Sequence, residues 1–113
     1  MNGLNYIPLI IERLKETNPD KIILFGSYAD GQQREGSDLD ILVVTGDNII
    51  PENFSERTKI FLRISNAISD IKSRFPIDLI VHTRPMHSRF IKENSLFARQ
   101  LLSQGKVLYE KSN

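Results

Sequence analysis

Three apolar runs are too short to be anything but strands, and they set the terms for the fold: Lys21–Phe25 (KIILF), Asp38–Thr45 (DLDILVVT) and Ile77–His82 (IDLIVH). Each is rich in β-branched residues and is bounded by Gly, Pro, Asn or Asp, which suits a strand and falls short of a helix. The first has no polar face and reads as buried on both sides. In the second, strand alternation puts Asp38, Asp40, Leu42 and Val44 on one face and Leu39, Ile41 and Val43 on the other. In the third, Asp78, Ile80 and His82 share a face.

Between the runs the apolar period lengthens to that of a helix. Leu4–Lys15 places Ile7, Ile10, Ile11 and Leu14 on one side, and Asn18-Pro19-Asp20 breaks it. Gly26–Ser37 (GSYADGQQREGS) reads as a turn, one short helix and a loop. A helix capped by Asn53 or Ser55 is expected to run to about Arg74, burying Ile60, Ile64, Ile68 and Ile71 until Pro76 stops the chain. A last helix over Met86–Leu102 buries Phe90, Phe97 and Leu101, Gly105 caps it, and Val107–Tyr109 adds a short edge strand. This order predicts one α/β (α+β) domain: a small mixed sheet of three to four strands with helices packed on it. At 113 residues the chain has length for one core and none for a separate acceptor domain.

Charge is nearly balanced overall, at +1, far from a dedicated nucleic-acid binder. Residues 1–83 carry 9 basic and 12 acidic side chains, whereas residues 84–113 carry 6 and 2, a polarity able to steer an acidic partner. The chain has no cysteine, no apolar run near the roughly 20 residues of a membrane span, and no signal-peptide pattern at its start. A cytoplasmic location is expected, with no membrane association.

Asp38, Asp40 and Asp78 interrupt apolar strands, where aspartate is disfavoured. On neighbouring strands they would converge, and their repulsion calls for a cation. Magnesium takes oxygen ligands and shares its shell with phosphates, and carboxylates at i and i+2 can bridge two such ions for phosphoryl displacement. The alternative for Asp40 is an ion pair with a base such as Arg34. Gly26-Ser27 follows the first strand, where glycine permits close backbone approach and a helix start offers N–H groups to an anion. Gly26-x4-Gly31 is not a P-loop, because Gln32 and Gln33 stand where lysine and a hydroxyl residue are required. His82 and His87, with Arg84, Arg89, Lys92 and Arg99, are secondary candidates, and Tyr28 suits either stacking on a base or packing on the first helix.

Gly26-Ser27, ten intervening residues, Asp38-Leu39-Asp40 in a strand and Asp78 in a later one together resemble the polymerase-beta-like nucleotidyltransferase superfamily. The chain is similar to its minimal nucleotidyltransferases (MNT type, antitoxin-like), from the first strand through GKVLYE, so residues 1–113 are expected to form one such domain. The resemblance implies that Asp38 and Asp40 hold two Mg2+ ions and the triphosphate, and that Asp78 completes the metal site on the acceptor side. It implies that Gly26 and Ser27 hold the β and γ phosphates, and that AMP passes from ATP, or a nucleotide from another nucleoside triphosphate, to a hydroxyl with release of pyrophosphate. The partner implied is a small all-helical HEPN protein, a ribonuclease toxin that the antitoxin adenylylates. Two other functions are open: a non-catalytic binding antitoxin or regulatory subunit, and the catalytic subunit of a two-component aminoglycoside nucleotidyltransferase. The chain departs from the family's usual Gly-Ser-x-Ala-Arg-Gly by carrying Asp30 in place of the base. An exposed edge on so small a chain could also pair with a second copy.

Overall fold

The computed structural model describes residues 2–112. A 3-10 turn over Gly3–Tyr6 leads into α1 (Ile7–Lys15), followed by β1 (Lys21–Phe25), α2 (Ser27–Asp30) and β2 (Leu39–Val44). Then come α3 (Phe54–Ala67), α4 (Ser69–Lys72), β3 (Ile77–His82), α5 (Arg84–Glu93), α6 (Leu96–Gln104) and β4 (Lys106–Glu110). The sheet runs β3-β2-β1-β4, with β1 antiparallel to β2 and β4 and β3 parallel to β2. It is a mixed sheet of four strands, within the three to four that the sequence predicts.

Being central, β1 and β2 bury both faces. Ile22, Leu24, Leu39, Ile41 and Val43 pack against Ile10 and Leu14 of α1 and Ile64 of α3. On the opposite face Ile23, Phe25, Leu42 and Val44 pack against Leu101 of α6 and Phe90 of α5.

Two predicted helices are each divided. The helix expected from Asn53 to Arg74 breaks at Ile68, whose backbone leaves the helical region at φ −116°, ψ 21°. The segment Ser65-Asn66-Ala67-Ile68-Ser69-Asp70 is rich in side chains that compete for backbone hydrogen bonds, yet the break keeps Ile64, Ile68 and Ile71 all in the core. The helix expected over Met86–Leu102 stops at Asn94, left-handed at φ 51°, and restarts where the Ser95 hydroxyl accepts from the Ala98 N–H at 3.1 Å. Gly105 caps α6 in an extended conformation, its N–H donating to the Leu101 carbonyl. A Cβ there would strike that same carbonyl, so only glycine passes. The final strand extends one residue beyond prediction at each end.

Candidate active site

Register makes the site. Parallel pairing puts Asp40 opposite Asp78, while antiparallel pairing puts Asp40 opposite Phe25, the last residue of β1. Neighbouring strands lie roughly 5 Å apart, so the two carboxylates rise side by side from one face. Asp38 sits one residue before β2, exposed at the mouth of the same face. On this face α6 packs over Phe25 through Phe97 and Leu101, α5 brings Phe90 against the same apolar cluster, and Asp38 and Asp78 remain exposed.

Gly26 turns the chain out of β1 with φ +71°, and a Cβ on it would fall on the Asp40 carboxylate. Its requirement for glycine is therefore double: a backbone conformation L side chains rarely adopt, and direct approach to Asp40. Both Ala29 and Asp30 return their N–H groups to the Gly26 carbonyl, at 3.0 and 3.2 Å. Among the described residues the N–H groups of Ser27 and Tyr28, in the first turn of α2, have no backbone partner, and Ser27 is half-buried. That is an arrangement suited to a phosphate oxygen.

The electrostatics favour a cation. The Asp40 carboxyl is pushed up to about 6, first by burial, then by the charges of Asp78 and Asp38. No ion pair neutralises Asp40 among the described residues, and Arg34 instead lies in the exposed loop with its N–H on the Ser37 hydroxyl at 2.8 Å. The ion-pair alternative is thereby overturned. Nor do three His, Cys, Asp or Glu side chains among the described residues form a ready-made metal cage. Magnesium seldom needs one, since it commonly takes one or two carboxylates and fills its shell with water and substrate phosphate. An uncompensated carboxylate group at an open sheet end fits that habit.

Asp30 has an internal role: its carboxylate accepts from the Gln32 N–H at 3.1 Å, holding the turn that follows α2. Tyr28 packs rather than stacks on a ligand; it is buried, edge-on to Phe75, with its hydroxyl accepting from the Gly3 N–H at 3.4 Å. His82 shares the Asp78 face but stands four residues along β3, roughly 13 Å away. It engages His87, with 3.0 Å between their Nδ1 atoms, and burial holds both imidazoles below their ordinary range, His82 at about 4. Arg84 is committed to Asp20 in a two-pronged pair and Arg89 to Glu93 at 3.0 Å. The histidine pair is a contact that sequence spacing alone does not reveal, because it depends on how α5 folds back over β3.

The model of the family "Polymerase beta, Nucleotidyltransferase" matches residues 9–113. A Methanocaldococcus jannaschii protein named "Putative protein adenylyltransferase MJ0604" is 38% identical over 89 residues, covering 79% of this chain and 77% of that protein. A solved structure described as a toxin-antitoxin with AMP-PNP superposes with a TM-score of 0.53 at 25% identity, covering 94% of this chain and 74% of that one. A Sulfolobus solfataricus structure described as a putative nucleotidyltransferase superposes with a TM-score of 0.61 at 21% identity, covering 96% and 83%, and shares the fold. No helix among the described residues is long and apolar enough to cross a membrane. With the family match spanning nearly the whole chain and the aspartates gathered beside the Gly-Ser turn, the chain belongs to the polymerase beta nucleotidyltransferase family.

Proposed function

We propose that this nucleotidyltransferase transfers AMP from ATP to a hydroxyl on a partner protein, as the antitoxin member of a toxin-antitoxin pair whose partner is a small all-helical HEPN protein. The observation that carries this reading is the pairing of Asp40 with Asp78 across β2 and β3, with Gly26 set against Asp40. The relative named as a protein adenylyltransferase and the toxin-antitoxin neighbour with an ATP analogue support the donor and the partner class.

Asp38, Asp40 and Asp78 are the groups that would hold two Mg2+ ions, which when bound supply charge neutralisation at the transferring phosphorus. Gly26 and Ser27 receive the β and γ phosphates on backbone N–H groups and the hydroxyl. Asp78, on the outer strand, faces the acceptor and takes its proton as the oxygen bonds to the α-phosphorus and pyrophosphate leaves. Phosphoryl transfer is mainly positioning and neutralisation of charge, and a rigid sheet end serves both.

Incubation with magnesium, host lysate and ATP labelled at either the α or the γ phosphate tests this. Label from α enters a protein acceptor with the wild type and is absent with Asp38→Asn/Asp40→Asn. Transfer of γ label, or unchanged transfer by the double variant, overturns it. Neutralisation of the partner that survives the double variant makes the chain a binding subunit.

A further inference from the structure

We propose that the free edge of β3 is the docking track for the acceptor, a polypeptide segment that adds to the sheet as a fifth, extended strand and presents its hydroxyl residue beside Asp78. This rests on the protein-modifying reading above and names how such a substrate is held.

Among the described residues β3 is an edge strand, bonded only to β2. The Leu39 N–H donates to the Pro76 carbonyl and the Thr45 N–H to the His82 carbonyl, at 3.1 and 2.8 Å. Even-numbered positions of this strand therefore point their backbone groups inward to β2, and the odd ones, Ile77, Leu79 and Val81, point theirs outward. Among the described residues those outward groups have no backbone partner in any loop or turn. Unpaired edges of this kind accept an added strand, with main-chain bonds giving affinity and neighbouring pockets giving specificity.

A pocket lies along the same edge. A groove of about 570 Å3 runs between the start of α3 and β3, lined by Phe54, Phe61, Ile80, Val81, His82 and Met86. Phe54 is 82% exposed, and Ile49 and Ile50 in the loop before α3 are each about half exposed. The groove begins at Ile80, two residues along the same strand from Asp78, a separation of roughly 7 Å that one extended segment can span. A side chain opposite Asp78 on an added strand would stand roughly 5 Å from it, within reach of a serine, threonine or tyrosine hydroxyl. An apolar residue two to four positions away would then fill the groove. Arg57 lines the groove and has no ion pair among the described residues, which favours an acidic residue flanking that apolar one. In the step itself the acceptor oxygen bonds to the α-phosphorus, the bond from that phosphorus to the bridging oxygen breaks, pyrophosphate leaves, and the hydroxyl proton passes to Asp78.

The test uses the full chain, magnesium, α-labelled ATP and a library of nine-residue peptides with a central Ser, Thr or Tyr. Label is expected in peptides with an apolar residue two to four positions from the hydroxyl and an acidic flank. Methylating the edge-facing peptide nitrogens should cut incorporation about tenfold or more, the loss of one or two ladder hydrogen bonds. Phe54→Asp and Val81→Pro should do the same, while Arg57→Glu should invert the flank preference from acidic to basic. Phe54 and Arg57 are exposed, so those two variants keep the test valid if Val81→Pro does not fold. The Leu79 and Val81 amides should become protected from exchange when peptide binds. Equal labelling of methylated peptides, unprotected amides, or an unlabelled library beside host proteins labelled equally by wild type and Phe54→Asp each overturns the proposal. Those results leave nucleotidyl transfer standing, whereas loss of α transfer to every acceptor bears on the function itself.

Discussion

The Asp40 carboxylate lies so close to Gly26 that no side chain can replace glycine there without moving it. Gly26→Ala forces a side chain into a left-handed conformation and onto the Asp40 carboxylate, a strain of about 1–3 kcal/mol. The expected outcome is a lower urea midpoint together with lost transfer, since the carboxylate must move to admit the methyl group. Asp40→Asn has the opposite signature: the fold is kept while transfer falls about a hundredfold or more, as when a group that stabilises transition-state charge is removed. The two are separated by measuring stability and α-label transfer on the same samples. Asp30→Arg removes the bond to the Gln32 N–H, loosening the turn after α2, and adds a base near the phosphate cradle. Unchanged or tighter nucleotide binding is expected, read by titration with ATP, and a large loss of transfer would give Asp30 a role beyond its turn.

At the level of elements, strands were legible and helix interruptions were not. The three apolar runs are strands in the structure to within one residue at either end, because their length and flanking breakers leave no other choice. The convergence of Asp40 with Asp78 was readable only if β2 and β3 were neighbours, a condition that pairing supplies and spacing does not. The breaks at Ile68 and Asn94 escaped because apolar periodicity runs straight through both; Asn94-Ser95 did carry a signal, a residue tolerant of the left-handed region followed by a good N-cap. The groove beside β3 was invisible for a different reason, since it is made by elements distant in sequence. Packing on α6 gives a test at this scale. Leu101 is 3% exposed and its neighbour Leu102 is 54% exposed, so Leu101→Ala should cost about 2–5 kcal/mol and Leu102→Ala about 0.5 or less. Urea denaturation of the pair reports whether α6 presses the site-bearing face as described, and equal costs would contradict it.

Across the whole molecule, a half-buried carboxyl and a pair of histidines at opposite ends of the sheet pull stability in opposite directions as pH changes. At the aspartate end, Asp40 holds its proton to about pH 6 in the folded chain and to near 3.8 when unfolded. The folded state therefore binds more protons between those values, so this group makes the chain less stable as pH rises from 4 through 6. At the other end, His82 and His87 are held below their ordinary 6.5, His82 to about 4. There the unfolded chain binds protons first, so the stability these imidazoles contribute is fully present above pH 6.5 and is lost as pH falls toward 4. Arg57 and Lys21 reinforce this by disfavouring charge on His82 and His87 respectively. The two effects offset each other in the divalent-free wild type and flatten its profile between pH 4 and 6.5. Substitution separates them. Asp40→Asn should be more stable than wild type at pH 7, with the gap closing by pH 4 and a steeper fall on acidification than wild type shows. His82→Gln should flatten the acid side and leave a decline as pH rises through 6. Magnesium should raise wild-type stability at pH 7 and leave Asp40→Asn nearly unmoved, because binding to the folded chain alone stabilises it by mass action. Urea midpoints for the three proteins across this range, with and without magnesium, check all of these expectations. An Asp40→Asn gap that stays constant with pH would mean that Asp40 is not the strained carboxylate of this site.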